Sequence, residues 1–466
     1  MKSKWPQRDD LPVVLVVLDG LGDRPCLSLG GRTPLEVAST PALDELAARG
    51  ANGVHVPFGP GWATSSERSH WAMFGLPELA FPGRALLEWV GEGGVPPLGT
   101  PMWHLAARRG EQVDGVMRIT GRMGSQHSDI AHTLNRILQE WTEEFVVDGV
   151  SFSIESLRLG EWVLLAHGLE SIEVSDSDPL FDHMHPWMLP VPLQECVIAG
   201  GRRLVEAQRT ADALKAYLLG AHASLVCAGL EITVPTTKWP SIAGQPLSFL
   251  DLVGVQGAMV TSSALYRGLA RTLGMREVDV AAPAEDAGLG LSARVQSAIR
   301  LLGEEQRPDF IHVHTKAPDE AGHTKKPEAK IAAIEACDAA IAAFIDIIDR
   351  GDLVLAVTGD HATPSEGLLM HSGDPTPIVV VAPEQRKDSV REFGETAALS
   401  GALGSLRAAD IAPLLHGLAR RPFFVGHRPG ASIKSALPLS PIAMPVPETE
   451  PIYLERPQIM KESSRW

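Results

Sequence analysis

The chain has 466 residues, 44% hydrophobic and 21% charged, the proportions of an ordinary globular enzyme and enough length for two domains or one core with a large insertion. Its 41 Lys and Arg stand against 57 Asp and Glu, a formal charge of -16 that speaks against a nucleic-acid binder but leaves room for a small anion held by local basic groups or a metal. Four scattered cysteines (Cys26, Cys196, Cys227, Cys337) form no CxxC pair, MKSKWPQRDD does not read as a signal peptide, and no apolar run nears the ~20 residues that span a bilayer, so a soluble cytoplasmic protein is expected.

In chain order, residues 11–18 (LPVVLVVL) predict a strand buried on both faces of a parallel sheet, ending in Asp19-Gly20-Leu21-Gly22-Asp23. The glycines leave Asp19 at the sheet's edge, although a DG pair is also an ordinary turn former. Residues 40–50 (TPALDELAARG) predict a helix with Thr40 as N-cap, Pro41 at the first position and Gly50 as the stop. A Gly/Pro-rich loop then runs into Thr64-Ser65-Ser66-Glu67, where another helix begins. A hydroxyl there lies in the positive end of the dipole, which favours its alkoxide and an attached phosphate, while taken alone the segment reads as a plain cap.

From about residue 81 to 240 the strand-helix alternation is lost, which predicts an inserted domain. Its basic residues include Arg84, Arg108, Arg109, Arg118, Arg122 and Lys238, and the run Ser175-Asp176-Ser177-Asp178-Pro179 reads as a solvated turn. Alternation returns near 255 and lasts to about 422. Phe310 to His314 predict a buried strand leading into a polar loop that carries Asp319 and His323. Residues 328–350 predict one amphipathic helix, 353–357 a strand ending in Thr358-Gly359-Asp360-His361, and 378–381 another buried strand, with His371 between them. Past about 427 a proline-rich stretch has no periodicity and reads as an extended or disordered tail. Carboxylates and imidazoles recur at several strand ends, where open α/β sheets carry their chemistry.

Taken together and in this order, DGLGDRP, TPALDELAARG, KAPDEAGH, TGDHATP and HSGDPTPI resemble the metalloenzyme core of the alkaline-phosphatase superfamily, in the form of the archaeal-type cofactor-independent (2,3-bisphosphoglycerate-independent) phosphoglycerate mutases. The resemblance covers the two core portions well and the insertion weakly. It implies an α/β fold: an alkaline-phosphatase-like core with a mostly parallel sheet flanked by helices, plus an inserted α+β cap domain. The division expected is core (1–80), substrate-binding cap (81–240), core (241–426) and tail (427–466). It also implies two divalent ions, manganese or zinc, one held by Asp319, His323 and His371, the other by Asp19, Asp360, His361 and a nucleophilic serine. The family's Gly-Ser-Asp matches Ser65-Ser66-Glu67, which points to Ser66 and leaves Ser65 and Thr64 open. Coordination to a cation makes a hydroxyl a competent nucleophile, and paired cations can clamp an in-line phosphoryl transfer.

The insertion departs from the pattern. Arg109 falls at the family's Asn, Met117 at its acid–base Asp, Arg118 at the following Arg, Arg122 in its Gly-Arg, and Lys238 near its Arg-Gly; Lys316, inside KAPDEAGH, is a further phosphate or carboxylate contact. Without that Asp the group expected to shuttle a proton between two hydroxyls is gone. Either the correspondence slips there or the substrate is a different small phosphorylated metabolite. The expected activity is conversion of 3-phosphoglycerate to 2-phosphoglycerate through a phosphoserine. The alternatives are a phosphatase or phosphomutase for another phosphate ester and, against the full ligand set, a non-catalytic relative.

Overall fold

The computed structural model describes residues 10–423 apart from 78, 123–127, 179–184 and 281–286, so the stretch read as a tail lies outside the described residues. In chain order, β1 (Val13–Leu18) and β2 (Ala51–His55) begin a first sheet. A second sheet follows, made of β3 (Pro101–Val113), β4 (Val116–Arg122), β5 (Val146–Val147), β6 (Val150–Arg158), β7 (Glu161–His167), β8 (His185–Pro186) and β9 (Thr233–Ile242). The first sheet is then completed by β10 (Gly257–Thr261), β11 (Arg276–Asp279), β12 (Phe310–Thr315), β13 (Val354–Thr358), β14 (Thr376–Val381) and β15 (Gly404–Leu406). The first sheet runs β11-β10-β12-β1-β13-β14-β2-β15 and is parallel except around β14, which is antiparallel to both its neighbours. It is a mostly parallel α/β sheet with helices on both faces. Among the described residues no helix is long and apolar enough to cross a membrane.

The strand β1 lies at the middle because every residue in it is apolar and buried. Val14, Val16 and Leu18 pack with Leu43, Leu46, Ile334 and Phe344 on one face; Val13, Leu15 and Val17 pack with Trp71, Leu87 and Leu269 on the other. A run without polar alternation is what a two-sided position demands. In the second sheet the two faces differ. Trp103, Leu105, Trp162 and Leu164 pack on helices Ser128–Glu144 and Gly201–Cys227, whereas Met102, Val163 and Leu165 join the first sheet's core. The start of β3 is therefore the end of the second sheet that rests on the first.

Local details differ from the expectations in three places. Helix Pro41–Arg49 has Thr40 at its N-cap and stops at Gly50, but the Thr40 side chain makes no capping bond; Asp338 accepts from the free Ala42 and Leu43 N–H groups at 3.2 and 2.7 Å. The stretch read as one helix over 328–350 is a helix Pro327–Ile341, a 3-10 turn Ala342–Phe344 and a short helix Ile345–Ile348. The loop expected after β12 is a helix, Ala317–His323, with Pro318 in its first turn, a position where proline costs nothing because its missing N–H would be unpaired anyway.

Helix Arg84–Gly91 lies within the stretch read as insertion, yet Leu86, Leu87 and Trp89 are part of the first sheet's core. It crosses helix Ala264–Thr272 so closely that a Cβ on Gly268 would overlap the Leu87 carbonyl oxygen, and one on Gly91 that of Ala264. Gly417, in helix Ala408–Leu418, has open space around its Cβ position. Gly268→Ala should lower the urea midpoint by the equivalent of about 1–3 kcal/mol through overpacking, while Gly417→Ala should leave it unchanged or raise it by about 0.4–1 kcal/mol. Equal midpoints for the two variants would refute the close crossing.

Candidate active site

Register builds the site. Leu18 of β1 is paired with Thr315 of β12, and Val17 with Thr358 of β13, so Asp19, Lys316 and Asp360-His361 leave three adjacent parallel strands side by side at their C-terminal ends. Gly20 must be glycine: its φ is +66°, and a Cβ would stand 2.6 Å from Thr363 Oγ1 and 2.8 Å from Asp319 Cα. Its N–H donates to Asp360 Oδ1 at 2.9 Å, tying the ends of β1 and β13 together.

Asp19, Asp360 and His361 are buried, and their ligand-type atoms lie within 4.8 Å of one another. Ser66 opens helix Ser66–Met73. Its Oγ donates to Asp19 Oδ1 at 3.2 Å and stands 3.0 Å from His361 Nε2, whose distance to Asp360 Oδ2 is 3.5 Å. The neighbouring hydroxyls are engaged differently. Thr64 Oγ1 donates to the Ser65 carbonyl, the Thr64 carbonyl lies 2.8 Å from His371 Nδ1, and Ser65 is the helix N-cap without a side-chain capping bond. Of the three hydroxyls left open by the sequence, Ser66 is the one bonded to this acidic group.

A second group adjoins the first. Asp319 Oδ1 lies 3.2 Å from His323 Nε2 and 3.5 Å from His371 Nε2, and accepts from Thr363 Oγ1 at 2.7 Å. Asp319, His361 and His371 also converge within 4.8 Å, and the His361 and His371 rings stack with centroids 3.9 Å apart. Lys316 spans the two groups, 3.3 Å from Asp19 Oδ2 and 3.2 Å from Asp319 Oδ2.

These charges do not balance. Burial disfavours the Asp19 anion, but Lys316, His314 and His361 outweigh it and hold its carboxyl well below the usual range. For Asp360 burial and the Asp19 charge act together and push the carboxyl up. Burial also disfavours the His361 cation, yet Asp360, Asp19 and Asp319 outweigh that and raise it to about 9. Asp360 Oδ2 is buried with no hydrogen-bond donor. A buried carboxylate oxygen without a hydrogen-bond donor among three acids is costly, and a divalent cation is the partner such a set of oxygen and imidazole donors fits.

The insertion contributes a second polar focus. Lys238 is 1% exposed on β9, with Nζ 3.4 Å from Asp178 Oδ2, which also accepts from Arg108 Nε at 3.0 Å; His185 Nε2 is 3.2 Å from Oδ1. The run from Ser175 was expected to be a solvated turn, but Ser177 and Asp178 are buried because β9 lies across them: Thr237 N donates to Ser177 Oγ at 2.8 Å. The Trp239 N–H donates to Asp176 at 3.2 Å, and the Arg84 guanidinium lies 4.1 Å from the Trp239 ring centroid. Arg84 in turn meets Glu67 at 3.4 Å and Glu88 at 2.8 Å. Glu88, His104 and Glu161 also cluster, but Arg84, Arg108 and Arg158 neutralise their carboxylates, so this network ties the two sheets together rather than asking for a cation.

The remaining insertion candidates stand elsewhere. Lys238 pairs with His104 near the start of β3, whereas Met117 pairs with Gln112 and Arg118 with Glu111 near the hairpin tip. Eight residues of strand separate His104 from Gln112, ~26 Å. Arg109 is exposed; Arg122 ends β4 opposite Arg108, and only its backbone is described. Met117 thus lies toward the opposite end of β3 from Lys238. Sequence reasoning passed over His314, Tyr266 and Thr363 at the metal-type groups and read Asp176 and Asp178 at the junction as a solvated turn, while Arg84 was named only as one basic residue among several. Only His314 carried a local signal, an ionisable group on a strand that is buried throughout.

The comparisons agree with this geometry. The family model described as the metalloenzyme superfamily matches residues 11–416. The 2,3-bisphosphoglycerate-independent phosphoglycerate mutase of Pyrococcus abyssi is 32% identical over 426 residues, covering 88% of this chain and 97% of that one. Its counterpart from Saccharolobus islandicus is 30% identical over 422 residues with the same coverage. Among solved structures, a Pyrococcus horikoshii protein aligns with a TM-score of 0.67 at 27% identity, over 90% of this chain and 99% of that one. The cofactor-independent phosphoglycerate mutase of Thermoplasma acidophilum gives 0.55 at 27% identity, over 88% and 100%. With its strand-end acids and imidazoles and a match along nearly its whole described length, the chain belongs to the metalloenzyme superfamily, in the family of the 2,3-bisphosphoglycerate-independent phosphoglycerate mutases.

Proposed function

We propose that this protein interconverts 3-phosphoglycerate and 2-phosphoglycerate without bisphosphoglycerate, through a phosphoserine on Ser66. The observation that carries the reading is the Ser66 hydroxyl itself, at the first position of a helix and within 3.2 Å of both Asp19 and His361. Two divalent ions, manganese or zinc, suit the donors: Asp19, Asp360 and His361 with Ser66 for one, Asp319, His323 and His371 for the other. When bound, such ions neutralise phosphoryl oxygens and favour the serine alkoxide.

The chain's own groups do the rest. Asp19 Oδ1 accepts from the Ser66 hydroxyl and fixes its direction. The helix N-terminus favours negative charge on that oxygen and on the phosphate it receives. Lys316 keeps part of its side chain exposed, 28%, between the two acidic groups, and can meet a phosphate or carboxylate entering there. The second sheet acts as the substrate-binding cap, with Lys238, Arg108 and Arg84 as the basic groups nearest the junction.

The acid–base group expected at Met117 is supplied, in this reading, by Asp176. It is half-buried, and burial, only partly offset by Lys238, raises its carboxyl to about 7, the range a proton shuttle needs. It is bonded to Trp239, whose φ of +54° is a left-handed conformation that a bulky residue adopts at a cost of order 1–3 kcal/mol.

The reading is tested with manganese-loaded protein, 3-phosphoglycerate and a panel of other phosphate esters. Ser66→Ala should remove at least about 1,000-fold of the isomerisation. Asp176→Asn should lower isomerisation by about 100-fold or more and should also slow phosphoserine formation, followed by intact-mass spectrometry, because the group that takes the proton from the accepting hydroxyl also returns it to the departing one. Phosphate release without isomerisation in the native protein would replace the mutase by a phosphatase.

Metal binding should depend on pH. His361 must be neutral to donate its lone pair, and its raised value means that a proton occupies it below about 9. Each unit of acidification then competes with the ion, so the manganese dissociation constant of metal-stripped protein should rise by at least about tenfold from pH 8 to pH 6 in calorimetric titration. A pH-independent constant would take His361 out of the ligand set.

A further inference from the structure

Asp19 has five side-chain partners, and they divide between its two oxygens. Oδ1 faces Ser66 Oγ at 3.2 Å and His361 Nε2 at 3.3 Å. Oδ2 faces His314 Nε2 at 3.0 Å, Tyr266 OH at 3.2 Å and Lys316 Nζ at 3.3 Å. His314 and Lys316 both come from the end of β12. Tyr266 comes from helix Ala264–Thr272, so it approaches the carboxylate from a separate element.

Packing alone does not explain a phenol at this position. Tyr266 is fully buried in an apolar cluster with Leu265, Leu269 and Trp71, and its ring lies against His314, centroids 3.6 Å apart, and His70, 4.8 Å apart. A phenylalanine would bury the same surface. The hydroxyl adds a donor, and a buried hydroxyl requires a partner; here the partner is the carboxylate that faces the nucleophile. A carboxylate swings readily about its last torsion, which is broad and two-fold. Donors from two different elements on one oxygen remove that freedom and leave the other oxygen facing Ser66.

We propose that Tyr266 is a positioning residue: with His314 it holds Oδ2 of Asp19, so that the carboxylate offers Oδ1 alone to Ser66 and to the cation the site fits. The inference rests on the reading of Asp19 as a ligand and Ser66 as the nucleophile. It concerns this chain's choice of tyrosine, which neither needs to touch the substrate.

The test is Tyr266→Phe, which keeps the ring. Manganese is titrated into metal-stripped protein by calorimetry, and phosphoserine formation from 3-phosphoglycerate is followed in a single turnover. Loss of a group that orients a metal ligand typically costs 10–100-fold, so the dissociation constant should rise by about tenfold or more, and in active protein kcat should fall while KM holds within about twofold. A dissociation constant within about twofold of the native value overturns the proposal. Phe74→Leu, which loosens the same aromatic cluster without reaching Asp19, should retain native affinity; if it reproduces the loss, packing rather than the phenol is responsible and the proposal falls. Native protein that binds manganese but forms no phosphoserine would sink the mutase reading, while the ratio of the two dissociation constants would still decide the role of Tyr266.

Discussion

Three carboxylates, those of Asp19, Asp319 and Asp360, share one buried pocket, and the rest of the structure is arranged to make that possible. Left to themselves, such groups would take up protons, because desolvation and mutual repulsion both oppose the anions. Two responses are visible. Donors are concentrated on Asp19 and Asp319, while Asp360 keeps one oxygen without any. Two of the acids are thus held as anions, and the third keeps an oxygen without a donor, which suits a divalent cation. The pattern separates this pocket from the cluster of Glu88, His104 and Glu161, where arginines already neutralise the charge.

Holding that pocket open requires rigid loops behind it, and another buried charge provides them. Lys330 is fully buried and donates to the carbonyls of Gly22 and Thr363 at 2.8 Å each and to Asp23 at 3.0 Å; Asp23 accepts from Ser365 N. These bonds join the loop after β1 to the loop after β13, one residue beyond Ala362 and two beyond His361. Thr363 then donates to Asp319 and lies 3.2 Å from His361 Nδ1, linking the two metal-type groups by one side chain. A buried ammonium is expensive unless its hydrogens are all used, and here three acceptors surround it.

What could be read from the sequence follows from how locally each feature is caused. The strands β1 and β13 were legible because a strand buried on both faces is almost wholly apolar, and Asp19, Asp360 and His361 followed as polar groups at their ends; β12 was legible from Phe310, Ile311 and Val313 although His312 and His314 are buried in it. The helix Ala317–His323 was missed because Pro318 ends a strand and begins a helix equally well. Thr40 had the right residue type for a cap, but Asp338, nearly 300 residues away, does the capping. Asp178 read as part of a solvated turn and Lys330 drew no notice, since nothing in their neighbourhoods announces that Gly22, Thr363, Arg108 and Lys238 close around them. Burial of a charge is a tertiary fact, and one chain without its partners does not disclose it.

The insertion shows the same limit with a larger consequence. Matching it residue by residue along the chain pointed to Arg109, Met117, Arg118, Arg122 and Lys238, and strand pairing separates them: Met117 and Arg118 lie near the β3–β4 hairpin tip and Lys238 lies opposite His104 near the start of β3. Within the second sheet, Met102 of β3 and Val163 and Leu165 of β7 join the first sheet's core, so the start of β3 is its near end. The near end of β3 holds His104, opposite Lys238, and the next residue, Trp239, lies against Arg84, which contacts Glu67 beside Ser66. A continuous run of charged and aromatic contacts therefore joins Ser66's helix to the strand carrying Lys238 and to Asp176. In the proposed reading, discrimination between phosphate esters falls to this junction, because the metal-type groups meet only the phosphate that all such substrates share.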